Sequence, residues 1–341
     1  MNIALEEELT NFFMNKNILV TGGTGSIGKE IVKMLLNYKP NKIIVFNKDD
    51  TKQYLMQQQF ANVRNIEYLL GDIRDYDSVY KAMKNIDYVF HTAALKQVPV
   101  CEENPNEAIA TNIHGSQNVI RASMQNQVKK VINISTDKVV HPTNIMGMTK
   151  LIAEKLFQYA NDDKQNDATL FCSVRFGNVV GSRGSVIPLF LQKAKNGEPL
   201  TVTDQNMTRF IMSMEEAAKL TLFASYYCRG KETFIFKMKA IKIEQLVKAI
   251  QLYCHVKQLP VPKLVMIGPR RGEKMHEQLI AEEEKDFVFE NEFLYVILPN
   301  GKTKNIHPHF QKANVSSLRS DEVPLLSDEE LYQIVQKLGD R

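Results

Sequence analysis

The stretch NILVTGGTGSIGKEIVKMLLNY, residues 17–38, decides the fold. It reads as a short apolar strand, a glycine-rich turn and an amphipathic helix. The first glycine of the spaced set permits a tight turn, the second lets backbone amides approach a pyrophosphate, and the third lets the helix pack on its strand. The amino terminus of the helix also attracts anions, so the stretch predicts a dinucleotide-binding turn. The residues expected to contact the dinucleotide are Gly22, Thr24, Gly25, Ser26, Ile27 and Gly28.

Strand and helix patterns alternate through the first half of the chain. Short apolar stretches that read as strands recur at 42–46, 66–70, 88–91, 131–134 and 170–176. Such alternation is typical of βαβ units, because parallel strands need a crossover that is usually a helix. The expected fold class is therefore α/β, with a Rossmann-type doubly wound parallel sheet.

In the second half of the chain the alternation breaks down, which predicts a smaller α/β lobe that binds the substrate over the carboxyl ends of the strands. We expect residues 1–14 to be an N-terminal extension and residues 15–178 to be the dinucleotide-binding domain. Residues 207–250 are expected to pack back on that domain. Residues 179–206 and 251–341 then form the substrate-binding lobe.

Composition and charge narrow the classes of function. The 341 residues have a formal net charge of +4, and 44% of them are hydrophobic. No basic run is interleaved with aromatic residues, so a nucleic-acid partner is not expected. The cysteines form no CxxC pair, no apolar run reaches the roughly 18 residues of a membrane span, and the first residues lack the order of a signal peptide. We expect a soluble, cytoplasmic protein without a membrane partner.

The end of the second strand bears on the choice of cofactor. An acidic residue that holds both adenosine ribose hydroxyls of NAD is expected at this position. The chain has Asn47, Lys48 and Asp49 there instead. A lysine suits a 2′-phosphate, so NADP is favoured as the cofactor, while Asp49 keeps NAD open as the alternative.

Later strand ends add further candidate contacts to the dinucleotide. Asp72 is placed to face the adenine amine, although a plain polar turn would have the same pattern. The small residues Ala93 and Ala94 let the backbone pass close to the cofactor. Lys96 can either contact the phosphates or the substrate, or be a solvated charge in a loop. Asn112 is expected to bond the backbone of neighbouring strands. These candidates are Asp72, Ile73, Ala93, Ala94, Lys96 and Asn112.

A second informative stretch is VINISTDKVVHPTNIMGMTK, residues 131–150. Its strand is followed by Thr136, Asp137 and Lys138, whose hydroxyl, carboxyl and amine can project into one cleft. Alone, this pattern would be interpreted as a polar loop. The glycine-rich turn upstream makes a proton-transfer site the better interpretation. Met146 and Lys150 follow on one face of the next helix.

The second half of the chain carries arginines that lie close to glycine, serine or threonine. Arginine grips phosphate in a bidentate geometry, so these residues indicate binding of a diphosphate. His307 and His309 form an HxH pair without a third ligand nearby, and we expect no metal. The arginines are Arg183, Arg209, Arg270 and Arg271.

With these residues in view, the chain resembles the extended short-chain dehydrogenase/reductases. More narrowly, it resembles the UDP-N-acetylglucosamine 4,6-dehydratases of bacterial polysaccharide biosynthesis and flagellin glycosylation. The resemblance runs from about residue 17 to the end of the chain. Six motifs carry it in the family's order: TGGTGSIG, HTAALKQVPVCEENP, STDKVVHPTN, RFGNVVGSRGSVIPLF, TDQNMTRF and RRGEKMHE.

The resemblance implies roles for individual residues. Thr136, Asp137 and Lys138 fall on catalytic positions, and Lys150 falls on the position that contacts the nicotinamide ribose. The positions associated with the UDP-sugar substrate are Lys96, Asn178, Arg183, Ser185, Thr201, Arg209, Arg270 and Glu273.

Met146 departs from the superfamily pattern, which has a catalytic tyrosine four residues before the lysine. A thioether cannot take a proton from a sugar hydroxyl. A simple keto-reductase or epimerase is therefore disfavoured. A branch of the dehydratase family resembles this sequence in having methionine at the same catalytic position, and the proton work then shifts to Asp137 and Lys138.

The implied reaction oxidises the sugar at C4, eliminates the 6-hydroxyl and reduces C6, so that the cofactor is not consumed. It makes the chain a carbon–oxygen lyase. It requires Asp137 to be protonated and Lys138 to be partly deprotonated near neutral pH, which burial would favour. Whether C5 is retained or inverted is left open by the residues.

Two alternatives remain beside this interpretation. One is a UDP-sugar 4-epimerase or 4-reductase of the same fold, which would leave the 6-hydroxyl in place. The other is an NADP-binding sensor without turnover, for which the missing tyrosine speaks. For any of them the resemblance implies a homo-oligomer, either a dimer or a hexamer.

Overall fold

The computed structural model describes residues 3–298 and 310–340, apart from the side chains of residues 3 and 4. The strands in chain order are β1 (Asn17–Thr21), β2 (Lys42–Asn47), β3 (Ile66–Leu70), β4 (Tyr88–His91), β5 (Lys130–Ile134), β6 (Leu170–Arg175), β7 (Asn178–Val179), β8 (Leu200–Val202), β9 (Thr208–Met212), β10 (Thr233–Phe236), β11 (Lys239–Lys242), β12 (Leu264–Met266), β13 (Gln278–Ile280), β14 (Val288–Glu290), β15 (Leu294–Ile297), β16 (Gln311–Lys312) and β17 (Leu318–Arg319).

The α-helices in chain order are α1 (Ile3–Phe13), α2 (Ser26–Leu35), α3 (Asp50–Gln59), α4 (Tyr76–Ala82), α5 (Val98–Glu103), α6 (Pro105–Ala108), α7 (Gly115–Gln125), α8 (Ile145–Tyr159), α9 (Val186–Lys195), α10 (Met214–Tyr227), α11 (Ile243–Val256) and α12 (Asp328–Gly339). Shorter turns of helix are the 3₁₀ segments Leu36–Tyr38, Asp137–Val139 and Glu282–Phe287 and the π-helix Ile109–His114.

A large sheet with the order β16-β14-β15-β10-β6-β5-β4-β1-β2-β3 forms the centre of the molecule. From β3 to β10 every neighbouring pair is parallel. The remaining strands β15, β14 and β16 add to the β10 edge in antiparallel pairs. The predicted doubly wound parallel sheet is confirmed.

Helices cover both faces of this sheet because successive strand residues point to opposite sides. In β1, Ile18 and Val20 pack with Ile31 of α2 in one apolar cluster. Leu19 between them packs in a second cluster with Val119 of α7. Burial on both sides explains why the parallel strands read as continuous apolar runs rather than alternating ones.

A second lobe follows the parallel strands. Its three-stranded sheet has the order β11-β9-β7, and helices α9, α11 and α12 pack around a separate core that includes Phe190, Leu246 and Leu331. Ser327 caps α12 with a reciprocal Glu330 contact, as the Ser-Asp-Glu-Glu pattern indicates. The lobe contacts the main sheet where the parallel strands end.

The chain is divided differently from the expected domain boundaries. Helix α10 and strand β10, within 214–236, pack on the parallel sheet. Strand β9 pairs within the second lobe but adds Phe210 and Met212 to the core of the main sheet, while β11 and α11 belong to the second lobe. Strands β14 to β16, within 288–312, extend the main sheet instead of the lobe. These strands have two to four residues each, too few for an alternating pattern to be recognised.

Candidate active site

The glycine-rich turn forms a backbone cradle at the end of β1. Gly22 has φ +67°, and a Cβ there would lie 2.7 Å from the backbone of Ala93. A Cβ on Gly28 would lie 2.6 Å from the carbonyl oxygen of Gly22. Helix α2 begins at Ser26 without a side-chain cap, so the amides of its first turn are open to an anion. The cradle fits a dinucleotide pyrophosphate.

The end of β2 presents cations beside this cradle. The carboxylate of Asp49 caps α3 by accepting the amide hydrogen of Lys52 at 2.9 Å, and it also pairs with the Lys52 amine. Lys48 has a half-exposed amine whose nearest carboxylate oxygen, on Asp72, is 3.7 Å away. Asn47 donates to the hydroxyl of Thr24 at 2.6 Å. Asp49 is therefore engaged within the chain, and Lys52 is a nearby cation that sequence reasoning missed.

Asp72 and Ile73 have structural partners in addition to their place near the cradle. The Asp72 carboxylate accepts hydrogen bonds from the side chain of Arg74 at 2.6 and 2.8 Å. Ile73 is buried, and it lies so close to Gly115 of α7 that a Cβ there would be 2.6 Å from it. Ile73 thus packs α7 onto the sheet.

Asn112 lies in the π-helix and fastens the loop that follows β4. Its side chain accepts from the Leu95 amide at 2.8 Å and donates to the Leu95 carbonyl at 3.0 Å. It also donates to the Thr149 hydroxyl at 3.0 Å. The expectation that Asn112 bonds strand backbone is corrected, because the loop carrying Ala93 and Ala94 is its partner. π-Helical turns are frequent at functional sites.

The loop between β7 and α9 reaches over the cradle. The Arg183 guanidinium donates to the Thr24 carbonyl at 2.6 Å, and the Arg183 amide donates to the Ser26 hydroxyl at 3.2 Å. Partial desolvation, with the like charge of Arg183, lowers the pKa of Lys96. Arg183 and Lys96 therefore lie near each other at the mouth of the cleft.

The end of β5 forms the centre of the site. The hydroxyl of Thr136 donates to Asp137 Oδ1 at 2.8 Å, and Lys138 Nζ donates to the same oxygen at 2.9 Å. Asp137 is fully buried, and its Oδ2 has no hydrogen-bond partner. The three neighbours thus form a connected hydroxyl–carboxyl–amine group with one open acceptor position.

Glu277 completes this group from the second half of the chain. Its Oε1 lies 3.3 Å from Lys138 Nζ, and its Oε2 is buried without a partner. Glu277 is the last residue of the RRGEKMHE motif, and sequence reasoning missed it as a site residue. A signal was available in the sequence, because Glu277 carries a carboxyl group and lies in the same motif as Arg270 and Glu273, which were assigned to the substrate.

The charges around Lys138 correct one sequence expectation. Burial alone would lower the pKa of Lys138, but the carboxylates of Asp137 and Glu277 raise it. Lys138 is therefore held as an ammonium rather than partly deprotonated. Burial raises the pKa of Asp137, in the expected direction. The expectation for the lysine failed because the second carboxylate was not recognised.

Lys150 and Met146 lie on α8 behind this group. Burial lowers the pKa of Lys150 from 10.5 to about 8, and its amine donates to the carbonyl of Ile134 at the end of β5. Met146 is buried in an apolar cluster with Cys101 and Ala108. Met146 is surrounded by apolar side chains, and its thioether offers no acid or base group to the site.

The RRGEKMHE turn joins the second lobe to α8. Gly272 has φ +75°, and its carbonyl accepts hydrogen bonds from Thr143 at 2.7 Å and Asn144 at 3.2 Å. Arg270 is exposed in this turn, and the Glu273 carboxylate lies 3.5 Å from the buried Arg209 guanidinium. The turn thereby brings the predicted substrate residues beside the β5 group.

The remaining predicted substrate residues lie in different parts of the lobe. Asn178 begins β7 and pairs with β9. Ser185 is the N-cap residue of α9, and its hydroxyl is buried without a partner. Thr201 lies in β8, in a two-stranded sheet with β12, and accepts a hydrogen bond from Lys193 at 2.9 Å. Ser185 therefore offers an open polar contact, whereas Thr201 is already paired.

With the fold and site described, comparison with known proteins identifies the family. The model of a family described as polysaccharide biosynthesis protein matches residues 18–298. The chain belongs to this family. Among solved structures, the chain is similar to Pen from Bacillus thuringiensis, which is 44% identical, covers 96% of this chain and 99% of its own, and superposes with a TM-score of 0.90.

Family relatives carry different names. The UDP-N-acetylglucosamine 4,6-dehydratase (inverting) of Campylobacter jejuni is 46% identical over 85% of this chain and 85% of its own length. A UDP-glucose 4-epimerase of Rickettsia bellii is 43% identical over 87% of each chain. The uncharacterized membrane protein MJ1061 of Methanocaldococcus jannaschii is 43% identical over 98% of this chain and 99% of its own. The first of these confirms the resemblance stated from the motifs.

The described part of the chain contains neither a membrane-spanning helix nor a cluster of metal ligands. Within residues 3–298 and 310–340, no helix has the length and apolar character needed to cross a membrane. Within the same residues, no group of three or more His, Cys, Asp or Glu side chains could hold a metal ion. His307 and His309 lie outside the described residues.

Proposed function

We propose that this protein is a UDP-N-acetylglucosamine 4,6-dehydratase. It forms a UDP-2-acetamido-2,6-dideoxy-hexos-4-ulose by moving hydride from C4 to C6 of one bound sugar, for a bacterial surface glycan or flagellin. The observation that carries the proposal is the ion pair of buried Asp137 and partly buried Lys138 at the end of β5, in the same sheet whose strand β1 ends in the anion cradle. An acid and a base fixed together are required to eliminate water across C5–C6. The 46% identity to the Campylobacter enzyme supports the same reaction.

NADP is the cofactor we infer for the cradle. The backbone around Gly22 and Gly25 would hold the pyrophosphate, and the amines of Lys48 and Lys52 would flank a 2′-phosphate. The Asp49 carboxylate is already occupied by Lys52, which leaves it poorly placed to hold two ribose hydroxyls. When bound, the nicotinamide would supply the hydride acceptor for C4 of the sugar and the hydride donor for C6. Lys150 would hold its ribose.

Asp137 handles the hydroxyl protons. A buried carboxyl with a raised pKa both accepts and donates protons near neutral pH. Asp137, directly or through the Thr136 hydroxyl that bonds it, takes the proton of the 4-hydroxyl and later gives a proton to the departing 6-hydroxyl. This use of one carboxyl replaces the phenol that Met146 cannot supply.

Lys138 handles the carbon proton. Once C4 is a ketone, the C5 proton is acidic enough for a neutral amine to remove. Lys138 is a side chain of suitable basicity beside Asp137, and it returns the proton to C5 after the hydroxyl has left. The name of the Campylobacter relative states inversion, whereas return of the proton by the same amine to the same face of the sugar would retain the configuration of C5.

The UDP part of the substrate is assigned to the second lobe. The guanidinium groups of Arg209, Arg183 and Arg270 suit the diphosphate, with Glu273 and Asn178 beside them. The unpartnered Ser185 hydroxyl supplies one more donor at the amino terminus of α9, where the helix dipole favours an anion. Lys96 adds a cation at the mouth of the cleft.

A 4-epimerase is the second candidate, because the Rickettsia relative carries that name. An epimerase also needs an acceptor for the 4-hydroxyl proton, a task that Asp137 would keep, but it removes no proton from C5, so Lys138 would have no task. Mass spectrometry of the product separates the two. We expect UDP-N-acetylglucosamine to lose the mass of one water, whereas a product of unchanged mass with an inverted C4 would establish the epimerase.

We also propose a cytoplasmic homo-oligomer. Met148, Ile152 and Tyr159 are large exposed side chains of α8, and an apolar stripe on one helix face is typical of an interface. All four cysteines are free and buried, as a reducing compartment would leave them. Light scattering on a size-exclusion column tests the assembly, and a monomer would contradict it.

A further inference from the structure

Glu277 is a carboxylate that reaches the β5 group from the second half of the chain. Its Oε1 lies 3.3 Å from Lys138 Nζ, on a side chain that is almost fully buried. We propose, on the basis of the dehydratase function above, that Glu277 accepts a proton from the Lys138 ammonium group. The neutral Lys138 amine can then remove the proton from C5 of the sugar. Glu277 acts through Lys138, and we assign it no contact with the sugar.

The backbone of Glu277 is firmly held. Its amide donates to the Ser320 hydroxyl at 3.0 Å, and its carbonyl accepts from the Ser320 amide at 2.9 Å. Two residues further on, the Leu279 carbonyl accepts from the buried Arg175 guanidinium at 3.2 Å. A carboxylate fixed at both backbone groups keeps its side chain aimed at one partner, as proton transfer requires.

The charges facing the Lys138 amine come from three segments. Asp137 contributes a carboxyl from its own segment, and Glu277 contributes the other from the RRGEKMHE turn. Burial raises the pKa of the Glu277 carboxylate, but the positive charges of Lys138, Arg209 and Lys274 together lower it. With both carboxyls ionised, Lys138 keeps its proton, so in the resting site it cannot remove the proton from C5.

Oxidation at C4 changes this balance. When Asp137 takes the 4-hydroxyl proton it becomes neutral, and Lys138 then faces a single negative charge. An N–H bond of Lys138 breaks and an O–H bond forms on Glu277, which leaves a neutral amine beside a neutral carboxyl. Lys138 next takes the C5 proton, and Asp137 gives its proton to the departing 6-hydroxyl.

The same groups return to their starting state at the end of the cycle. Lys138 gives its proton to C5 as C6 is reduced, and Glu277 then returns its own proton to Lys138. Asp137 has already passed the 4-hydroxyl proton to the water that leaves. No external acid or base is consumed, and elimination starts only after C4 has been oxidised.

The Glu277→Gln variant tests this role, because glutamine keeps the shape and the hydrogen bond but cannot accept a proton. We expect reduction of bound NADP on mixing with UDP-N-acetylglucosamine to persist. Deuterium entry at C5 should fall by ~100-fold near neutral pH. The loss should shrink as pH rises and Lys138 gives its proton to solvent. Glu277→Asp, which can still titrate, should recover much of the exchange.

Two controls make the result decisive. Glu283→Gln changes an exposed carboxylate near the same segment, which pairs with His141 at 3.2 Å, and should behave as wild type. Wild-type protein must form the 6-deoxy product in the same assay; if it does not, the proposed function fails rather than the role of Glu277. Wild-type exchange in Glu277→Gln, or an equal loss of both steps at every pH, would overturn the inference.

Discussion

Arg175 and Glu154 form a buried ion pair in which Arg175 Nη2 lies 2.6 Å from Glu154 Oε1. The same guanidinium binds the Glu284 carboxylate at 2.8 Å, and Glu154 accepts the Ser135 hydroxyl at 2.7 Å. The pair therefore joins β6 and α8 to the end of β5 and to the segment after Glu277. It fixes helix α8, which carries Lys150, relative to the end of β5, where Asp137 lies.

Removing Glu154 should be strongly destabilising. Glu154→Ala leaves the Arg175 guanidinium buried with only part of its counter-charge, which typically costs about 3–5 kcal/mol. Urea unfolding monitored by circular dichroism measures the loss. Glu67→Ala, which removes an exposed partner of Lys42, is the matched control and should cost about 1 kcal/mol or less. Equal effects of the two changes would refute this account of the pair.

Lys150 should make stability depend on pH in the alkaline range. Its folded-state pKa is about 8, below the value of 10.5 expected for the unfolded chain. The unfolded chain therefore binds more protons between these values, and wild-type stability rises with pH across that window relative to Lys150→Met. The relative gain should be on the order of 3 kcal/mol.

Unfolding of cofactor-free protein at a series of pH values measures this difference. Lys81→Met, at an exposed position of α4, controls for the change of lysine to methionine. A difference between wild type and Lys150→Met that stays constant from pH 7 to about 10.5 would show that Lys150 is not a buried, titrating amine.

Lys48 should select NADP over NAD. Lys48→Ala removes the half-exposed amine at the end of β2, so we expect NADP affinity to fall ~10-fold with NAD affinity little changed, the size of one charge-assisted contact. Calorimetric titration of cofactor-free protein measures both affinities. Lys42→Ala, at the opposite end of β2, serves as control. Tighter binding of NAD than NADP by wild type would contradict the cofactor assignment.

Asp137 and Lys138 should block different steps. In Lys138→Ala, bound NADP should still be reduced by the sugar, but deuterium entry at C5 should stop. In Asp137→Asn both events should slow by ~100-fold or more, because the 4-hydroxyl proton has no acceptor. Rapid-mixing absorbance and NMR follow the two events. Unimpaired turnover in either variant would remove its proposed role.

The parts of this molecule that could be predicted are those set by local pattern. The apolar periodicity and the glycine spacing of residues 17–38 are enough to predict the cradle. Backbone atoms approach Gly22 and Gly28 so closely that a side chain would not fit there. The strand ending at Ile134 likewise brought Asp137 to the correct edge. A confirmed parallel sheet follows from the same apolar runs.

The parts that could not be predicted depend on distant pairing. Glu277 reaches Lys138 only because the RRGEKMHE turn docks on Thr143 and Asn144, a contact without a local pattern. The direction of the Lys138 pKa depended on that second carboxylate. The partner of Asn112 and the return of β14 to the main sheet were missed for the same reason.

The measurement that tests the central claim most directly is proton NMR of purified protein mixed with UDP-N-acetylglucosamine in D₂O, without added cofactor. We predict a new methyl signal at C6 with deuterium at C5, which requires retained NADP and internal hydride return. The ring-proton couplings separate retention of C5, which return of the proton by Lys138 requires, from inversion. Absence of the methyl signal, even after addition of NADP or NAD, would contradict the assignment of this chain as a 4,6-dehydratase.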